Sequence, residues 1–291
     1  MKSLGLLGLV IGTLAVTALV SPWVAWALAA GLGHSYSFGR VYDRVFEVLL
    51  VVGALVAWRR LDLGRAADIG FRRRRWGQDL VRGLAAGAAG LAVGLALCAL
   101  AGALVPDLRF PPGKTVRKAL LGAAAAAAIG VGEEALFRGV VLRRLRRDAG
   151  SVVGVAATTL VYAAVHAIRA RGRVPHVDVW SGVAYTAGLF APLADGAALP
   201  QLAGLALLGL LLAAARLGSG ALWLPIGIHA AFVAAFRVGR LFFEIRPAPV
   251  WMVGPGWPPL IGGVAGWVAV AVTAALLRGR GASVARPAGP R

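Results

Sequence analysis

The sequence holds a single cysteine, Cys98, twelve acidic residues, three lysines against 28 arginines, and no asparagine. One cysteine excludes an internal disulfide and any metal site built on cysteines. A charged content of 15%, set against 59% hydrophobic residues and a mean hydropathy of +0.78, excludes a soluble globular domain. The net charge of +19 would point to nucleic acid in a polar chain. Here, however, the arginines fall in short clusters between apolar runs, which fits anionic headgroups and the positive-inside bias. Membrane lipids are therefore expected partners and nucleic acid is not. The zinc-protease pattern HExxH is also absent, so no metal has motif support. What remains is an all-α fold, a polytopic integral membrane helical bundle of about eight transmembrane helices.

Taken in order, residues 4–32 form an apolar run far longer than the core of a signal peptide and are expected to be a retained first helix. Residues 41–58 give a second, with Asp43, Arg44 and Glu47 near its start. Residues 59–82 are polar, carry eight arginines and present Trp76 as an interface aromatic. Residues 83–105 read as a third helix ended by Pro106, and 107–118 as a turn-rich connection. A fourth helix, 119–142, meets a reversal at Ala149 and Gly150, and a fifth follows over 151–168. Residues 180–193 are apolar but short, and are read as interfacial or re-entrant. Further spans are expected at 197–215, 221–236 and 260–277, before a basic, disordered tail. With the 59–82 loop inside, 18 lysines and arginines fall inside against 12 outside. The chain shows no heptad and no repeat at a fixed period. Three regions result: 1–118 with N-terminal helices and the basic loop, 119–240 as a transmembrane core, and 241–291 with the last helix and tail.

Glu133, Glu134 and Arg138 interrupt the fourth apolar run. An ionisable residue at that depth costs several kcal/mol unless paired or hydrated, so the two carboxylates mark a candidate site. On a helix Glu134 and Arg138 share a face and can pair; Glu133 is rotated by about 100° from Glu134. Gly130 and Gly132 just before them allow a helix or a substrate backbone to approach. Glu133 lies sixteen residues before Ala149 and His166 seventeen after it, so both are about 25 Å from the reversal along their helices. His229 lies at a similar depth in its own span. His34 and His176, in connections, are expected to be solvated or interfacial, and Glu47, Asp195 and Glu244 to reach water from the ends of spans.

Such a set supports hydrolysis by activated water, with a desolvated carboxylate as general base and an imidazole to place the water, donate a proton or stabilise an oxyanion. Two histidines with one or two glutamates can instead ligate zinc. A proton relay in a transporter uses the same residue types.

At these residues the chain resembles the CPBP intramembrane protease family, also called the CAAX-protease and bacteriocin-processing or ABI family. Its motifs read EExxxR, FxxxH and HxxxN or HxxxD. The first is met by Glu133, Glu134 and Arg138, followed by Gly139. The second is met by Tyr162 and His166, with Tyr for Phe, and the third begins at His229. Val233 stands where Asn or Asp is expected and offers no polar group. The resemblance covers roughly residues 119–236. It implies peptide-bond hydrolysis within the membrane, on a peptide or membrane-anchored protein substrate. Glu133 would be the general base, His166 its catalytic partner and His229 the oxyanion or water-positioning residue, with Glu134, Arg138 and Tyr162 in support. Relatives are described both as metal-dependent and as glutamate-type; a zinc ion would take Glu133, His166 and His229. The alanine- and arginine-rich composition suits a multi-pass protein of a bacterial inner membrane. Val233 motivates an alternative, a non-catalytic immunity or binding protein on the same scaffold. A proton-coupled transporter is the third reading.

Overall fold

The computed structural model of the chain describes residues 2–33, 36–59, 64–73, 75–167, 174–194, 196–246, 249–254 and 260–279. The expectations for His34, Asp195 and the tail beyond 279 lie outside the described residues. In chain order the elements are α1 (Lys2–Leu32), α2 (Phe38–Val56), α3 (Ala66–Ile69), α4 (Trp76–Leu100), β1 (Leu104–Pro106), α5 (Pro112–Glu134), a π-helical segment (Ala135–Val141), α6 (Leu142–Ala167), α7 (Ser181–Leu189), α8 (Leu199–Ser219), α9 (Trp223–Val238), β2 (Phe243–Ile245), α10 (Val250–Val253) and α11 (Val264–Gly279). The fold is all-α apart from one short antiparallel ribbon, β1 on β2, in register Leu104 to Ile245.

That ribbon corrects the expected third helix. α4 ends at Leu100 rather than near Val105, because Gly102 turns the chain at φ +68 and the next residues pair with β2. The glutamate-bearing helix starts earlier than expected, at Pro112, whose fixed φ suits a first helical turn. Its partner follows after Gly150, which sits at φ +83 and ψ +171 inside α6. That backbone angle favours glycine and breaks the helix there. Arg146 and Gly154 are thereby brought into contact, and a Cβ on Gly154 would meet the Arg146 nitrogen at 2.7 Å. Along an unbroken helix they would be about 12 Å apart, so the chain reverses at Gly150 into a hairpin.

The described chain divides into two compact units. The first holds Met1–Arg65 and Ala164–Gly196. Within it, α1, α2 and α7 pack through Phe38, Tyr42, Tyr185 and Leu189, and the Tyr42 hydroxyl meets Thr186 Oγ1 at 2.6 Å. α7 has nine residues, about half the length a span needs. Its start is organised by Asp178, whose carboxylate accepts from the Ser181 hydroxyl and the Trp180 amide. The Ser181 hydrogen bond is the main reason its carboxyl is held below the ordinary aspartate range, with the backbone amides adding to it.

The second unit holds Ala66–Ala163 and Ala197–Arg291. α9 is its axis: Leu224 through Phe232 are all buried. α4 lies against it through Gly83 and Gly87, and against α11 through Gly90 and Gly94. A Cβ on Gly83 would meet the Leu224 carbonyl at 2.3 Å, so only glycine lets the two backbones come this close. These four glycines, spaced 4-3-4, line one face of α4. Gly130 similarly admits α9 against α5.

Five described helices are long and apolar enough to cross a membrane, including one continuous run over Pro112–His166. Against the eight expected, the fourth and fifth fall together in that run, α2 carries four charged residues near its start, and the last apolar stretch, Val264–Arg278, is short. Large apolar side chains such as Leu19, Leu55, Leu120 and Leu160 are exposed, as suits contact with lipid. The protein is an integral membrane protein.

Candidate active site

The π-helical segment opens immediately after Glu134, and Arg138 and Gly139 lie within it. Wider π turns inside α-helices recur where side chains have a task beyond packing. Glu134 is fully buried and Arg138 is 1% exposed. The Arg138 Nη1 donates to Glu134 Oε1 at 2.8 Å, its Nη2 donates to the Gly209 carbonyl on α8 at 3.2 Å, and its guanidinium lies 4.4 Å over the Tyr162 ring. The pair expected from four-residue spacing therefore forms, and a helix distant in sequence braces it. In so dry a setting such a pair is held by geometry, and removing one partner leaves a costly uncompensated charge.

His229 comes from the buried stretch of α9 and places one ring nitrogen near each glutamate. Its Nδ1 is 2.8 Å from Glu134 Oε1, and its Nε2 is 3.7 Å from Glu133 Oε2. A carboxylate that receives the Arg138 guanidinium only accepts hydrogen bonds, so the tautomer that fits this contact has the proton on Nδ1. Nε2 is then the working nitrogen and faces Glu133. The tautomer is set as an aspartate sets the histidine of a serine hydrolase, and an imidazolium formed in a reaction would be stabilised. The Tyr162 ring stands nearly perpendicular to the imidazole at 6.0 Å, with Phe137 against its other side. This packing fixes the ring plane.

The two glutamates differ in access. Glu134 is sealed, whereas the Glu133 side chain is 30% exposed. Adjacent carboxylates thus divide into a fully buried orienting group and a partly exposed one.

The structure brings Glu133, Glu134, Arg138, Tyr162 and His229 together in the second unit. His166 is the penultimate residue of α6, half-buried, and falls in the first unit. Val233 lies one turn beyond His229 and is half-buried. Among the described residues no three His, Cys, Asp or Glu side chains converge as a metal site requires. His229 Nδ1 and Glu134 Oε1 are already committed to each other. Nε2 of His229 and the Glu133 carboxylate are what this unit offers a metal, and the third expected zinc ligand, His166, falls in the first unit. His176, expected to be solvated, is exposed, as is Glu244 on β2. Gly209 was not legible as a site residue: a glycine in an apolar helix carries no sign that its carbonyl will receive an arginine.

Residues 115–235 match the family described as type II CAAX prenyl endopeptidase Rce1-like. Over that segment the chain is similar to the CAAX-protease family. The matched residues include the positions of all three motifs, Val233 among them, and the family is one of proteases. No curated protein and no solved structure matches the chain.

Proposed function

We propose that the protein is an intramembrane endopeptidase that hydrolyses peptide bonds of membrane-associated or C-terminally anchored substrates with water activated by a glutamate. The observation that carries this reading is the chain from Arg138 through Glu134 to His229, with Nε2 turned towards the partly exposed Glu133. In the reaction the Glu133 carboxylate takes a proton from water as the water oxygen attacks the scissile carbonyl carbon. The negative charge then develops on the carbonyl oxygen. Glu133 hands the proton taken from water to Nε2 of His229 beside it, and the imidazolium so formed, backed by Glu134, donates to that oxygen and then gives the proton to the leaving amine as the C–N bond breaks. His166 is retained as a second catalytic partner on the strength of the FxxxH-like motif. The same reading makes the protein multi-pass, with about eight spans in a bacterial inner membrane, and its surroundings membrane lipid.

The test is cleavage of a co-expressed reporter with a C-terminal membrane anchor. Glu133→Gln and His229→Ala are each expected to lower the cleavage rate by at least about a hundredfold while the protein accumulates normally. Val233 favours a second reading, a non-catalytic binding or immunity protein. Under that reading both variants keep the biological function, and cleavage is absent from the wild type as well.

A further inference from the structure

Arg216, in the last turn of α8, is half-buried. Its Nη2 reaches the Ile69 carbonyl at a long 3.4 Å, and its Nε is buried with no hydrogen-bond partner. The charges acting on it most strongly are those of Arg72, Arg146 and Arg143, all of its own sign. A partly desolvated guanidinium among like charges has lost water and gained repulsion. The fold nevertheless holds the group in place. The Leu222 amide donates to the Gly70 carbonyl at 3.0 Å, and the Trp223 indole donates to the Arg72 carbonyl at 2.8 Å. Gly70, at φ +115, lies so close that a Cβ there would be 2.9 Å from Arg216 Nη2. Arg146 is steered by two hydrogen bonds to the Ser151 hydroxyl.

Beside the cluster, Trp223 packs against Phe71 and Trp76 with ring centroids 5.4 and 5.7 Å away. Indoles favour the headgroup level of a membrane. A planar guanidinium with an unused, dry N–H, flanked by further arginines, matches the oxygens of a phosphate group.

We infer that Arg216, with Arg72, Arg143 and Arg146, forms a phosphate-binding site whose occupant is the headgroup phosphate of an anionic phospholipid. The site shares no residue with the glutamate cluster and does not depend on the chemistry proposed for it.

The full-length protein in a non-ionic detergent is titrated separately with phosphatidylglycerol, phosphatidylcholine and inorganic phosphate at constant ionic strength, and the thermal unfolding midpoint is followed. Phosphatidylglycerol is expected to raise Tm saturably and phosphatidylcholine much less. Arg216→Gln is expected to weaken the apparent affinity by about tenfold, the loss of one charge-assisted hydrogen bond. A saturable shift with inorganic phosphate, lost in the same variant, would uphold the site and make a free anion its ligand. If Arg216→Gln fails to accumulate, the Arg143→Gln, Arg146→Gln double variant leaves α8 unaltered and is read in the same way. Three results would overturn the site: no saturable shift with either phosphate source, unchanged affinity in the cluster variant, or an equal loss in Arg117→Gln, which would reduce the effect to net charge.

Discussion

Arg138 and Arg216 both withdraw a guanidinium from solvent within the same compact unit, and the company they keep is opposite. Arg138 is matched in charge by the Glu134 carboxylate and held by the Gly209 carbonyl and the Tyr162 ring, although its Nε, like that of Arg216, has no hydrogen-bond partner. Arg216 has one long hydrogen bond and three arginines around it. The difference separates two uses of a withdrawn charge. A charge compensated inside the fold orients other groups, as Arg138 orients Glu134 and through it His229. A charge left among its own kind is completed only by something from outside.

The comparison is sharpened by removing each guanidinium in turn. Arg138→Met strands the buried Glu134 carboxylate, and we expect a loss of about 3–5 kcal/mol, measured by detergent-denaturant unfolding. Combining it with Glu134→Gln is expected to recover most of that stability without recovering cleavage, because His229 then lacks its anionic partner. Recovery of cleavage in the double variant would break the orienting role. Arg216→Met, in the absence of anionic lipid, is expected to change stability by less than about 1 kcal/mol and in the favourable direction, since it relieves repulsion. A loss as large as that of Arg138→Met would make the two arginines alike.

The smallest effect is expected at Asp178, a charge on the surface of the first unit. Its carboxyl is held below the ordinary aspartate range when folded, chiefly by the Ser181 hydroxyl. Its contribution to α7 is therefore complete above the unfolded-state titration range, and it is lost as pH falls through the lowered folded value. Hydrogen exchange of the α7 amides is expected to quicken in Asp178→Ala at neutral pH and to match the wild type in strong acid. Equal exchange at neutral pH would remove Asp178 from the helix start.

Much of the site was legible because it is anomalous in an apolar chain. Glu133, Glu134 and Arg138 stand out by their desolvation cost, and four-residue spacing foretold the ion pair. Depth counting placed His229 near the glutamates. It could not show that one imidazole would face both of them, because that depends on how far α9 is rotated about its own axis. The glycine stripe on α4 was present in the sequence as Gly83, Gly87, Gly90 and Gly94, yet it lies in a run where small residues are common. Only the Leu224 and Ala265 carbonyls facing it give it meaning. The ribbon of β1 and β2 had no local signal, since three-residue strands are made by their pairing.

The sequence by itself determined that this is a helical membrane protein with two carboxylates, an arginine and a histidine set within apolar runs, because hydropathy and helical periodicity are properties of single segments. Its motifs also carried the family resemblance. The tertiary structure decided which carboxylate is sealed and which is partly exposed, that the Gly209 carbonyl braces the pair, and that Arg216 meets arginines rather than an acid. Those outcomes depend on contacts between helices far apart in the chain, where a rotation of one residue, about 100° on a helix, exchanges a buried neighbour for an exposed one.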